Sequence, residues 1–251
     1  MAGTGSGYDL SVTTFSPDGR VFQVEYANKA VETGGTSLAI CCKDGVIFGV
    51  ENFQVSKMLV NGTNRRTMAV HRRAGIAIAG MLPDGRQIVS RAQQEAKSYL
   101  NAYCEEMPPN LLADRLGMFM HAYTLYWSVR PFGCSVLMGC VDKETKEPSL
   151  YSVEPSGVAH KWQGTAFGKG RQAAKTEIEK LLATDGGVTC EQALVQVARI
   201  LHKIHDEKDR PFELEVSWIC PASNYEFACV PKDKVAAAET EAKAFIEAEE
   251  E

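Results

Sequence analysis

Nowhere does the sequence run to roughly eighteen consecutive apolar residues, which rules out an ordinary membrane-spanning helix. The first residues show no charged stretch followed by an apolar one, so no secretory signal is expected there. Basic residues are not in excess: 27 Lys and Arg stand against 32 Asp and Glu, a formal net charge of −5. That balance argues against nucleic acid as a partner. No cysteine pair has the C-x-x-C spacing, and the eight cysteines are scattered over the chain. A chain of this length without a dense cysteine framework points to reduced thiols and to the cytoplasm and nucleus. No internal repeat is visible, which excludes solenoids and propellers.

Enough remains for a large core, since 45% of the residues are hydrophobic. Residues 36–41 and 46–50 are β-rich and flank Lys43-Asp44-Gly45, a hairpin signal. Residues 67–71 and 76–79 repeat the arrangement around Ala74-Gly75. A long helix follows Pro83 with Ile88, Ala92, Glu95 or Ala96, Tyr99 and Tyr103 on one face. After Pro108-Pro109, Asn110 is expected to cap a second helix with a stripe of Leu112, Leu116, Phe119, Tyr123 and Trp127. Strands are expected at 135–140, 150–153 and 158–162, and helices at 169–182 and from Thr189 on. Thr189 and Gln192 have the spacing of a capping box. Strands at 214–218 and 226–230 and a helix after Pro231 complete the pattern. Strands and helices arrive in blocks, which favours an α+β fold with two stacked antiparallel sheets and helix pairs outside. One domain over residues 1–251 is expected. It divides into an arm and turn (1–19), a short helix (20–33), a sandwich (36–231) and a C-terminal helix with an acidic tail (232–251).

The front of the chain is the most specific part. It reads Tyr8-Asp9-Leu10, then Phe15-Ser16-Pro17-Asp18-Gly19-Arg20, then Gln23-Val24-Glu25-Tyr26-Ala27. Pro17 presets one backbone angle, and Asp18-Gly19 completes a tight turn. Val21, Val24, Ala27 or Asn28, and Val31 then fall on one side at helical spacing, and Gly34-Gly35 ends the helix. This run resembles the opening signature of proteasome alpha subunits. The similarity continues through His121-Ala122-Tyr123-Thr124-Leu125-Tyr126, Val129-Arg130-Pro131-Phe132-Gly133, Arg171-Gln172-Ala173-Ala174-Lys175-Thr176-Glu177 and Phe212-Glu213-Leu214-Glu215. Within the family these segments look most like the type-3 branch, which takes the seventh ring position.

The resemblance implies a four-layer α/β/β/α sandwich of the N-terminal nucleophile hydrolase type. It implies a non-catalytic place in the outer ring of the 20S particle, with no cofactor and no metal. The implied partners are other alpha subunits in a seven-membered ring, the beta subunits of the inner rings, and the C-terminal tails of regulatory particles or other activators. By the same resemblance Tyr8, Asp9, Pro17 and Tyr26 form a gate cluster, with Tyr26 beneath the Pro17 turn. Arg66, Gly19 and Glu25 stand where activator tails dock, Arg66 replacing a lysine that receives a carboxylate. One departure is Leu10, where the family usually has arginine.

A catalytic alternative has to be weighed. Gly34-Gly35-Thr36 looks like the junction at which beta subunits free a threonine whose amine serves as its own base. Aligned that way, the catalytic aspartate would fall at Glu51 or Asn52 and the lysine at Thr67 or Met68. Neither residue type is present, so Thr36 is expected to begin a strand. His202 and His205, near Asp206 and Asp209, are too few for a zinc site. Gly168 and Gly170 precede a helix whose start would suit an anion, yet the pattern is too short to indicate one.

Overall fold

The computed structural model describes residues 7–250 except 61, 184, 185 and 207. The first arm residues, including Gly3 and Gly5, and the last residue of the acidic tail lie outside the described residues. The chain runs α1 (Phe22–Glu32), β1 (Ser37–Cys42), β2 (Gly45–Phe53), β3 (Thr67–His71), β4 (Ala74–Gly80), α2 (Leu82–Tyr103) and α3 (Pro109–Ala122). It continues through β5 (Cys134–Val141), β6 (Pro148–Val153), β7 (Ala159–Trp162), β8 (Gly164–Phe167), α4 (Arg171–Leu182) and α5 (Cys190–Ile204). β9 (Phe212–Ile219), β10 (Ala228–Cys229) and α6 (Lys232–Glu250) end it.

The strands form two antiparallel five-stranded sheets, ordered β10-β9-β2-β1-β8 and β3-β4-β5-β6-β7. Between them lies an apolar layer that includes Phe48, Val50, Ala77, Leu137 and Leu150. Each outer face carries its own core. Ile76, Ile78 and Met138 meet Ile88, Leu112 and Leu116 of α2 and α3. Leu38, Ile40 and Trp218 meet Ile178, Val197 and Leu201 from α4 and α5. The result is the expected α/β/β/α sandwich. β1, β2, β4 and β5 read as nearly continuous apolar runs because a helix layer covers one face and the partner sheet the other. Cys41 and Cys42, neighbours on β1, point to opposite cores. All eight cysteines are free, and burial pushes the Cys134 and Cys140 thiols up to about 12.

Several elements differ from their sequence patterns. Pro108 is extended (φ −56°, ψ 137°), and α3 begins directly at Pro109, whose fixed φ suits the first helical position. Asn110 is therefore inside the helix and does not cap it. The buried side of α3 is Leu112, Ala113, Leu116, Gly117 and Met120. Phe119 and Tyr123 form a second line against Phe132, and Trp127 lies beyond the helix end, 83% exposed. Likewise Tyr103 leaves the α2 stripe and is exposed. β8 has no sequence counterpart. The chain passes from one sheet at Trp162 to the other at Gly164 through Gln163 alone, whose carbonyl accepts from the Cys41 amide (2.7 Å). So short a crossover leaves no turn signal. The capping box of α5 forms as expected: the Gln192 amide donates to Thr189 Oγ1 (3.3 Å) and the Thr189 amide to Gln192 Oε1 (3.0 Å).

Candidate functional site

The helix α1 lies across one end of the sandwich against β4 and β5, with Val31 buried in the layer between the sheets. The chain then turns at Gly34-Gly35 into β1. A side chain at Gly35 would put its Cβ 2.2 Å from the Glu51 carbonyl oxygen, so only glycine passes there. Thr36 follows, with no exposed surface. Its amide donates to Glu51 Oε2 (2.9 Å), and its hydroxyl accepts from the Gly170 amide (3.0 Å). The other Glu51 oxygen lies 2.7 Å from His205 Nδ1 at the end of α5. The His205 ring in turn packs on Phe53 and Phe212.

This arrangement excludes threonine catalysis in the chain as it stands. The nitrogen of Thr36 is a peptide amide already spent on Glu51, and the hydroxyl has no approach for a substrate. At the position a lysine would need, Thr67 is buried with its hydroxyl 2.5 Å from Glu215 Oε1 and 2.8 Å from Ser217 Oγ. Asn52 bonds the Asn64 carbonyl (2.8 Å). The sequence pattern missed the Glu51–His205 pair. Its signal was a lone acid at the end of an apolar strand, which needs a buried partner. His202 meets Glu239 (3.0 Å), so the two histidines serve different elements. Among the described residues no cluster of three metal-ligating groups occurs. The start of α4 is likewise taken: the Gly170 amide binds Thr36, and the Lys169 amide donates to Gly34 O (3.0 Å). An Arg171–Glu32 ion pair (2.8 Å) ties α4 to α1.

In front of α1 the turn forms as the sequence indicates. The Gly19 amide donates to Ser16 O (2.9 Å) across Pro17 and Asp18, and the Ser16 amide returns to Arg20 O (2.9 Å). Gly19 takes φ +74°, the left-handed region that glycine enters freely. Arg20 then makes a two-pronged contact with Glu25, its Nε 2.7 Å from Oε1. That hydrogen bond holds the Glu25 carboxyl below its ordinary pKa.

Of the residues expected to form a gate, the structure brings Asp9 and Tyr26 together. The Tyr26 hydroxyl donates to Asp9 Oδ2 (3.1 Å), and Gln23 Nε2 holds the Asp9 carbonyl. Tyr26 is 42% exposed and stacks on Phe22. It is therefore a surface residue that fastens the arm, a correction to the expectation that it packs beneath the turn. Tyr8, Leu10 and Pro17 stay exposed.

Arg66 points inward. Its Nη1 donates to Gly80 O (2.8 Å), its amide donates to Glu215, and burial lowers its pKa from the usual arginine value. Its neighbours Arg72 and Arg73 instead pair with Glu226 and Glu106. Gly80 abuts Val31 and Gly34, so Arg66 reaches the C-terminal end of α1. Glu25 and Gly19 belong to the other end, about 9 Å away at 1.5 Å per residue. Within one chain the three docking candidates are not gathered.

Comparison with known proteins agrees with this geometry. A family model described as proteasome subunit matches residues 31–219, and the N-terminal signature of A-type proteasome subunits matches residues 8–30. The proteasome subunit alpha type-3 of Oryza sativa subsp. japonica is 54% identical over 98% of both chains. That of Arabidopsis thaliana is 52% identical over 98% of both. The probable proteasome subunit alpha type-7 of Saccharomyces cerevisiae is 49% identical over 87% of this chain and 76% of its own. With the A-type signature in front and its one candidate threonine locked inside, the chain belongs to the proteasome subunit family as a structural, non-catalytic alpha-type member.

Proposed function

We propose that the chain sits in a seven-membered outer ring of the 20S particle, at the seventh position, and restricts entry to the pore. Membership of the family implies a multi-subunit assembly, and in this reading inner beta rings carry the hydrolysis. The observation that supports a gate over an enzyme is the locked Thr36. Its amide and hydroxyl are both bonded, and α1 crosses the end where a substrate would enter. The arm before Asp9 can then work as a plug. Eight extended residues reach at most about 26–29 Å, and ordering each costs about 1–2 kcal/mol, so small contacts can switch it. Tyr8 and Asp9 are the groups that meet neighbouring arms, with Asp9 anchored on Tyr26 and Gln23.

Activator tails dock between subunits in this reading. Arg66 of one chain faces Gly19 and Glu25 of the next, because a single chain holds them at opposite ends of α1. The particle works in the cytoplasm and nucleus. Removing residues 1–9 from the chain, in purified 20S particles, is expected to raise unstimulated hydrolysis of short peptides. Hydrolysis equal to that of the unaltered particle would overturn the gate. A mature chain whose intact mass starts at Thr36 would overturn the non-catalytic reading as well.

A further inference from the structure

At the end of the sandwich away from Thr36, three thiols fall into a row. β1 ends at Cys42, which is paired with Gly45 at the start of β2. On the other side of Gly45 comes Cys220, directly after β9, since Val46 is paired with Ile219. A Cβ on Gly45 would lie 2.9 Å from the Cys220 Cβ. Cys42 and Cys220 both face the helix layer, and glycine leaves the sheet bare between them. Cys190, the first residue of α5, sits over that bare place, its amide fixed on Asp44 Oδ1 (2.8 Å). Its thiol is hydrogen-bonded to both Cys220 and Cys42. The three make a row and not a cage, so no metal site results.

The row is not symmetric. Cys220 caps the short turn Pro221–Ser223, and its sulfur accepts from the Ser223 amide. The Ser223 hydroxyl in return accepts from the Cys220 amide (3.2 Å). Peptide amides gathered at the start of such a turn favour a thiolate. The bond from Cys190, and then the amides of Ala222 and Ser223, lower the Cys220 thiol to about 7 against its burial. The bonds to Cys220, and then to Cys42, push the Cys190 thiol upward, so that it keeps its proton. A sulfur poised as a thiolate therefore touches the thiol that can resolve its first oxidation product. Cys134 and Cys140, raised by burial to about 12, are the inert comparison.

Size selects the oxidant. Cys220 has 1% of its surface exposed, and Cys42 and Cys190 are as deeply buried. Beside them the Lys43-Asp44 turn meets the chain before α5 through the Lys43 amide on Val188 O (3.1 Å). A brief local parting of that contact admits a molecule scarcely larger than water and excludes a tripeptide disulfide.

We propose that Cys220 and Cys190 form a peroxide-sensitive latch that oxidation closes into a disulfide. The Cys220 thiolate attacks one oxygen of hydrogen peroxide and breaks the O–O bond. It becomes a sulfenic acid, and the departing hydroxide takes up a proton to give water. The Cys190 sulfur then displaces the hydroxyl: the S–S bond forms, the S–O bond breaks, and the Cys190 proton leaves with hydroxide as a second water. Two thiols and one peroxide thus yield one disulfide and two waters. The new bond ties the start of α5 to the end of β9. The latch belongs to this chain alone and does not depend on the ring reading.

The test treats the purified full chain, in the assembly from which it is isolated, with hydrogen peroxide and maps its disulfides by mass spectrometry. The peptides bearing Cys190 and Cys220 are expected joined, about 2 Da below their summed mass, and parted again by dithiothreitol. In Cys190→Ala the resolving thiol is gone. Dimedone should then trap a sulfenic acid at Cys220, at least about tenfold more than at Cys134 or Cys140. In Cys220→Ala, neither Cys190 nor Cys42 should be trapped. Oxidised glutathione in place of peroxide should leave Cys220 without an adduct. Separate Cys190 and Cys220 peptides after peroxide, or Cys42 joined to Cys190 in their place, would overturn the latch. Equal trapping at Cys220 and Cys134 would overturn Cys220 as the attacking sulfur, and a glutathione adduct at Cys220 would overturn the selection of peroxide by size.

Discussion

Thr36 and Tyr8 each bring a hydroxyl to the same end of the sandwich, and their surroundings are opposite. Thr36 is fully enclosed, with its amide on Glu51 and its oxygen on Gly170. Tyr8 is exposed, and among the described residues its hydroxyl has no partner. The same contrast holds around them. Glu51, His205, Glu32 and Arg171 knit β2, α5, α1 and α4 together. The front segment offers Leu10 and Phe15 to solvent and is held to α1 chiefly by Asp9. Where the fold has room for chemistry it has been closed by internal bonds. Where it has little fold of its own it is left free for other chains. Substitutions in the first region should therefore register in stability, and those in the second in assembly and entry.

The largest effect is expected at Glu51. Glu51→Ala removes the acceptor of the buried Thr36 amide and the partner of His205 together. A buried donor left unsatisfied costs about 1–3 kcal/mol, and this change leaves the Thr36 amide without its acceptor and His205 Nδ1 without its partner. About 3 kcal/mol of lost stability is expected in urea unfolding of the full chain. A loss below about 1 kcal/mol would mean that the enclosed end is held by apolar packing alone, and the contrast with the arm would weaken.

A smaller and pH-dependent loss is expected at Asp84, in the first turn of α2. Its carboxylate accepts from Arg130 Nη1 (2.6 Å) and Nη2 (2.9 Å) and from the Gly133 amide (2.9 Å). The Arg130 hydrogen bond, and then that of Gly133, hold its pKa below the ordinary aspartate value, against burial. A depressed carboxyl stabilises the fold above its unfolded pKa of about 3.9, and that contribution fades as pH falls through the folded value. Asp84→Asn is thus expected to cost about 1.5–3 kcal/mol at neutral pH. The gap between the variant and the original chain should shrink below about pH 4. A gap that stays constant down to pH 2 would show that the charge of Asp84 plays no part.

The two regions were also unequally legible in the sequence. Most helices and strands followed from apolar periodicity, because burial on a regular element leaves a regular trace. The turn at Pro17 and the cap at Thr189 followed from local chemistry confined to a few residues. What escaped depended on contacts distant in sequence. β8 needed the Cys41–Gln163 bond to reveal that the chain changes sheets there, and the Glu51–His205 pair joins residues on β2 and α5. The surface position of Tyr26 escaped for the same reason, since nothing in its neighbours tells that Asp9 folds back to it. The sequence singles out Arg66 beside Gly19 and Glu25, and only the fold shows that Arg66 lies apart from the other two. That separation is why the proposed docking site falls at a junction between two chains.

The smallest effect on stability is expected at Tyr26. Tyr26→Phe removes one hydrogen bond to Asp9 at an exposed site and keeps the ring on Phe22. Surface changes of this kind usually fall within about 0.5 kcal/mol, so unfolding should hardly move. Under the proposed gate, entry through the ring should move more, because that bond fastens the front segment to α1. Desolvation, and then the bond to Asp9, raise the pKa of Tyr26 above the usual tyrosine value, so its hydroxyl keeps its proton through neutral pH. Unstimulated peptide hydrolysis by particles carrying Tyr26→Phe is therefore expected to change by the same factor at pH 6.5 and at pH 8.5. A large loss of stability with unchanged hydrolysis would reverse the assignment, placing Tyr26 with the enclosed residues around Thr36 rather than with the open arm.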